Sequence, residues 1–343
     1  MTSPSGEALA PHIDIAVHDG EVVITQQRPA LVSSLAGMPV APALALIPTL
    51  LPICGQAQSL AAQRAVAAAR GQAEVAAQPW REQAFAAAWR LAIDWPELLG
   101  EAHRMDILGR VHRAPDERAR AAALGLAIPG LDAVQNLDQL LHWVRTNDCV
   151  AARVARLALD VDHPEFAVHC LNGDALAALA GESLAVEDFD AQDPGDRPLE
   201  VGPLAMARDP LVAELQAELA AGVPARVLAQ ILDTRVICRG LDSTAGAGEP
   251  ETHTWSAADG VGMGRAITSR GPVFHRVCLD GGADAAVVDW RVLAPTDWHF
   301  AAGGPVALAL PKMASNEAMK LLVTSYDPCA PWSLHAGEGG SLA

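Results

Sequence analysis

The chain has 343 residues, of which 51% are hydrophobic, with eight tryptophans and a formal net charge of −17. A chain of this length and apolar content buries a full core as one large domain or two ordinary ones, which excludes a disordered protein. The acidic balance argues against nucleic acid as a partner, because phosphate backbones are bound by Lys and Arg.

His12 to Thr25 alternates, with Ile13, Ile15 and Val17 on one face, then Asp19-Gly20, then Val22, Val23 and Ile24. Asp-Gly between two β-rich runs predicts a hairpin, spanning 12–28 and closed by Arg28-Pro29. The most apolar run, Ala30 to Cys54, is broken by Pro39, Pro42, Pro48 and Pro52 into short segments. Their fixed φ and missing donors argue against a membrane span. The N-terminus lacks a basic region followed by an apolar one, so no signal peptide is expected. Six widely scattered cysteines form no disulfide framework and point to a reducing, cytoplasmic setting.

Gln56 to Arg70 is almost pure helix formers, stopped by Gly71. Cys54 therefore lies at a helix N-terminus, where the dipole and free N–H groups favour a thiolate. On the residues alone, the competing reading is a small core filler. The middle, 56–240, reads as helical. Arg81 to Leu99 is one such stretch, and Asp132 to Thr146 carries Leu137, Leu140, Leu141 and Val144 as an amphipathic stripe. Asp209-Pro210 and Pro224 open two more helices. The acidic run Glu187 to Glu200, with Pro194 and Pro198, is expected as an exposed loop. Leu241 to Gly264, rich in Gly, Ser and Thr, also reads as loop. Pro272 to Leu279 and Ala286 to Leu293 form a second hairpin around Asp280-Gly281-Gly282, and Asn316 to Ser325 reads as a short helix or turn. Cys149, Cys170, Cys238 and Cys278 read as packing residues, and His12, His275 and His299 as satisfied core or hairpin residues.

The expected fold class is α+β, one domain over 1–343. A central helical bundle carries a small antiparallel sheet formed from the N- and C-terminal hairpins, with a C-terminal hairpin and tail over 265–343. That closure would bring the two chain ends, and with them Cys54 and Cys329, together.

Five stretches resemble the large subunits of nickel–iron hydrogenases. Cys54-Gly55-Gln56-Ala57 is similar to the first half of their Arg-x-Cys-Gly-x-Cys motif, and Asp327-Pro328-Cys329-Ala330-Pro331-Trp332-Ser333-Leu334-His335 to their C-terminal Asp-Pro-Cys-x-x-Cys-x-x-His. Pro11-His12-Ile13-Asp14-Ile15 resembles the N-terminal Glu-Gly-His-x-x-Ile strand. Arg270-Gly271-Pro272-Val273-Phe274-His275 resembles Ala-Pro-Arg-Gly-x-x-x-His, and Pro295-Thr296-Asp297-Trp298-His299-Phe300 resembles Pro-Thr-Thr-Trp-Asn-Phe. The match is good at both ends and poor in the middle.

The departures matter more than the matches. The second cysteine of each pair is replaced, by Ala57 and Trp332. The proton-passing glutamate falls at Ala10 and the arginine of the first motif at Pro52. Two thiolates cannot build a four-thiolate nickel site. The chain therefore resembles the HoxV/HupK-type hydrogenase maturation proteins, shorter than the catalytic subunit and expected to be without hydrogen turnover. The resemblance implies a scaffold that takes an Fe(CN)2(CO) unit from a HypC–HypD-type assembly complex and hands it to the hydrogenase large-subunit precursor, with no nickel.

In that reading Cys54 and Cys329 hold the iron. Arg270 donates to cyanide, Pro295 gives carbon monoxide an apolar wall, and His335 orients the C-terminal segment. Ala336 to Ala343 is expected to stay attached, since the family's tail removal follows nickel insertion. Two other readings stand beside it. One is a metal-free chaperone or adaptor that mimics the large subunit. The other is a zinc or redox protein using Cys54, Cys329 and His335, which lacks a fourth zinc ligand.

Overall fold

A computed structural model describes residues 11–27, 32–73, 75, 77, 79–161, 168–186, 198–242, 253–281 and 285–336. Ala10, the Arg28-Pro29 closure, most of the acidic run and the tail 337–343 lie outside them.

The N-terminal hairpin forms as the sequence dictates. Strands β1 (His12–His18) and β2 (Glu21–Gln27) pair antiparallel around Asp19 and Gly20, both at positive φ (51° and 82°). That turn geometry suits the twist of the flanking strands.

The helices that follow carry the first cysteine. Helix α1 (Val40–Leu50) contains Pro48, so the prolines permit one continuous helix where short segments were expected. Helix α2 (Gly55–Ala69) begins directly after Cys54. Helix α3 (Trp80–Trp89) runs on into a π-helical turn, Arg90–Asp94. The middle is helical throughout its longer elements, and its axis is the 20-residue helix Val223–Asp242, buried along most of its length. A helix buried on nearly every side belongs at the centre of a bundle. Its buried charges are paired: Arg226 with Glu200, Asp233 with Arg208, Arg235 with Asp209.

Strands β3 (His169–Cys170) and β4 (Leu199–Glu200) make a short parallel pair. The end of the acidic run is thus not an exposed loop. Leu199 and Glu200 are buried, because Glu200 is the partner of Arg226.

Strands β5 (Thr254–Ala258), β6 (Val261–Thr268), β7 (Gly271–Leu279) and β8 (Val287–Leu293) form an antiparallel meander in that order. The expected β7–β8 hairpin is present, but the stretch read as loop supplies β5 and much of β6. Its glycines serve close approach. A Cβ on Gly262 or Gly264 would stand 2.1 or 2.2 Å from a carbonyl oxygen of α2, so α2 lies with its backbone almost on β6.

The expected single sheet is corrected as well. The two hairpins belong to separate sheets, and β1 takes as its second neighbour strand β9 (Trp332–Ala336), in parallel. A parallel partner must arrive by a long crossover, and here the intervening chain is that crossover. The α+β class holds, and the two chain ends do meet, through β9.

Candidate functional site

Cys54 ends a 3-10 turn (Pro52–Cys54) and is the residue from which α2 starts. It is 8% exposed, in a cluster with Ala57, Leu60 and Ala61 of α2, Ala266 and Val273 of the sheet, and Ala294 just beyond β8. Cys329 follows Asp327 and Pro328 at the end of the helix Asn316–Ser325. Asp327 has φ +48°, a left-handed conformation that Asp tolerates better than most side chains. Its amide is tied back to the carbonyl of Thr324 at 3.0 Å.

Arg270 joins the two segments. It stands in the β6–β7 turn, where its amide donates to Thr268 Oγ1 at 3.0 Å and that hydroxyl donates to the carbonyl of Gly271 at 2.8 Å. Gly271 has φ +131°, and a Cβ there would lie 2.4 Å from the carbonyl oxygen of Val201, so only glycine serves. The guanidinium spreads three ways. Nη1 lies 3.8 Å from Cys54 Sγ, Nε donates to the carbonyl of Asp327 at 2.9 Å, and Nη2 is 3.2 Å from Asp327 Oδ1. Burial alone would lower its pKa, but Asp327, with Cys54, Cys329 and Asp94 behind it, holds it raised and charged.

Pro295 opens the short helix Pro295–His299, packing its ring toward Gly271. The next residue, Thr296, donates through Oγ1 to Cys329 Sγ at 3.1 Å and accepts the Cys329 amide at 3.2 Å. Cys54, Cys329, Arg270 and Pro295 are therefore brought together. His335 is not among them. It stands on β9 opposite Ala16, with its side chain 65% exposed and Nε2 3.3 Å from Asp14 Oδ1. Of the two residues that stand at the second-cysteine positions, Ala57 is fully buried on α2 and Trp332 half-buried opposite Ile13.

Three acidic or basic groups from the α3 region complete the cluster. The Glu82 carboxylate accepts the amides of Gln56 (2.6 Å) and Ala57 (3.1 Å), the first N–H groups after Cys54 and Gly55. Arg90 Nη2 lies 3.4 Å from Asp327 Oδ2, a charge contact out of hydrogen-bond alignment. Asp94, which accepts from Trp89 Nε1 at 3.1 Å, is pushed up to about 7 by burial and by Asp327.

Burial also pushes the Cys54 thiol up to about 12, with Cys329, Glu82 and Asp327 adding to the shift against Arg270. The direction is opposite to the one expected at a helix N-terminus, because burial outweighs the Arg270 charge and the helix amides face the Glu82 carboxylate. Among the described residues no three His, Cys, Asp or Glu side chains form a metal cage, which leaves the zinc reading without its ligands.

Asp327 and Thr296 lie inside the family-like motifs and could have been named from them. Glu82, Arg90 and Asp94 lie in a plain helical stretch with no motif, and nothing local marks them.

No protein-family model matches the chain. It is 29% identical over 358 residues to the hydrogenase expression/formation protein HupK of Azotobacter vinelandii, covering 94% of this chain and 97% of that one. To HupK of Bradyrhizobium diazoefficiens it is 29% identical over 354 residues, 92% of each chain, and to HupV of Azotobacter chroococcum 29% over 361 residues, 94% and 97%. Its fold is similar to that of an NAD+-reducing nickel–iron hydrogenase in the H2-reduced state, with a TM-score of 0.56 at 15% identity. That match covers 92% of this chain and 94% of the other, so the likeness in fold runs through the helical middle, where the sequence motifs fade.

Proposed function

We propose, from the premise that this chain is a relative of the HupK- and HupV-named hydrogenase expression/formation proteins with the fold of a hydrogenase large subunit, that it serves hydrogenase maturation. In this reading it is a cytoplasmic scaffold and not a catalyst. It accepts an Fe(CN)2(CO) unit from a HypC–HypD-type complex and passes it to the large-subunit precursor.

The observation that carries the reading is the Arg270 guanidinium, set between the segments of both cysteines. Low-spin iron(II) bearing three diatomic ligands has few positions left, and two thiolates suffice to hold it. Cyanide nitrogens require donors in a dry pocket. Arg270 supplies one, and Arg90, which faces Asp327, has Nε and Nη2 buried without a hydrogen-bond acceptor among the described residues. Pro295 and the alanines around Cys54 give carbon monoxide an apolar wall. With alanine and tryptophan at the second-cysteine positions the hold is weaker than a four-thiolate site, as a scaffold that must release its cargo requires.

The test is an infrared spectrum of the protein co-produced with the iron-assembly proteins, read with its iron content. Cyanide and carbonyl bands are expected, and are expected to vanish in Cys54→Ala and Cys329→Ala together with hydrogenase maturation. A band-free, iron-free protein that still forms a stable complex with the assembly proteins, and whose cysteine variants mature hydrogenase normally, would replace the scaffold with the adaptor reading.

A further inference from the structure

Helix α3 and its π turn touch both cysteine segments, from opposite ends. At the first turn of α3, Glu82 takes the amides of Gln56 and Ala57, just beyond Cys54. Cys54 itself offers no side-chain cap to α2, so the helix starts on a carboxylate borrowed from another helix. In the π turn, Arg90 faces the second carboxylate oxygen of Asp327, two residues before Cys329. Between them, Gln83 Nε2 donates to the carbonyl of Ile267 on β6 at 3.0 Å and its Oε1 accepts from Arg208 at 3.0 Å, which pins α3 to the sheet that carries Arg270. Glu82 and Arg90 stand about 12 Å apart along this rigid rod. π turns are frequent at functional sites.

From this we infer that α3 with its π turn is a brace, and that Glu82 and Arg90 are positioning residues that fix the Cys54 and Cys329 segments independently of one another. The inference rests on the reading of the two cysteines as one site. It adds that their separation is set by a helix outside every family-like motif. Each contact guards one thiol: removing Glu82 frees the start of α2, and removing the Arg90 charge frees the Asp327-Pro328-Cys329 corner.

The test reads each cysteine separately in the cargo-free protein, by iodoacetamide labelling followed by mass spectrometry of the peptides. In Glu82→Ala, labelling of Cys54 is expected to rise roughly tenfold, from loss of a helix cap and a local opening. Cys329, and the half-buried Cys149 and Cys238 of the bundle, should keep their rates. Glu82→Gln, which keeps an acceptor oxygen, should restore most of the protection. Arg90→Gln, which removes the charge facing Asp327, should raise Cys329 several-fold and leave Cys54 unchanged, and Arg90→Lys, which keeps that charge, should restore most of the protection.

A parallel rise at all four thiols would show mere loss of fold and overturn the inference, and so would unchanged rates at Cys54 and Cys329. Because no iron is present, this outcome is independent of the infrared experiment: the brace can fail while the cargo bands stand, and the reverse.

Discussion

Arg270 and Asp327 are joined twice, by a hydrogen bond from Nε to the main-chain carbonyl at 2.9 Å and by an ion pair from Nη2 to the carboxylate at 3.2 Å. The same guanidinium reaches Cys54. Both partners are more than nine-tenths buried, and removing one charge of such a pair leaves the other uncompensated. Arg270→Ala is expected to lower stability by about 3 to 5 kcal/mol in urea unfolding. Arg270→Lys, which keeps the charge but cannot make both contacts, should cost about 1 to 2 kcal/mol. Equal stabilities for the two variants would mean that the fork geometry is irrelevant.

Thr296 works on the other thiol with one oxygen used twice, as donor to Cys329 Sγ and acceptor of the Cys329 amide. Valine matches its shape and offers neither. Thr296→Val should destabilise the protein by about 1 to 2 kcal/mol, the usual cost of an orphaned amide. It should also quicken labelling of Cys329 while sparing Cys54. Thr296→Ser should behave as wild type in both measurements, and a serine variant as damaged as the valine one would refute the hydroxyl's role.

The seating of α2 on β6 is tested by comparing two glycines. At Gly264 a Cβ would meet the Ala61 carbonyl at 2.2 Å and the Ala65 amide at 2.4 Å, backbone that cannot yield without lifting the helix bearing Cys54. Gly264→Ala is expected to cost about 3 kcal/mol or more. At Gly281 nothing lies within 4 Å and only the positive φ of 74° resists a side chain, so Gly281→Ala should cost about 1 kcal/mol. Thermal melts that rank the pair the other way would show that α2 does not depend on the glycine seat.

These residues also mark how far the sequence could be read. The Asp19-Gly20 turn and the start of α2 at Cys54 were legible because each is decided by a few neighbouring residues. Gly262 and Gly264 misled because glycine is ambiguous: it marks loops, and it equally marks a strand approached by another backbone. The pairing of β9 with β1 was hidden, since five residues at one end carry no signal that they will join a strand at the other. Glu82 was hidden for the same reason. Its amide partners lie 25 and 26 positions away, and an isolated glutamate early in a helix reads as an ordinary solvated first-turn charge.

Asp94 offers a pH test of the cluster. Its carboxyl is pushed from an ordinary 3.8 up to about 7 by burial first and the nearby Asp327 carboxylate second. The folded protein then holds, between those values, a proton that the unfolded chain has released. The stability this confers is complete below about pH 4 and is lost as pH rises through 7. An asparagine at this position would mimic the neutral acid at every pH and keep the oxygen that accepts from Trp89 Nε1. Asp94→Asn should therefore match wild type near pH 4 and exceed it at pH 8, by on the order of 1 to 3 kcal/mol. Urea unfolding of both proteins at the two pH values decides the matter. A difference that stays constant with pH would mean that Asp94 is as well solvated as a surface carboxylate, and that the pocket beside Arg270 and Asp327 is wetter than its packing indicates.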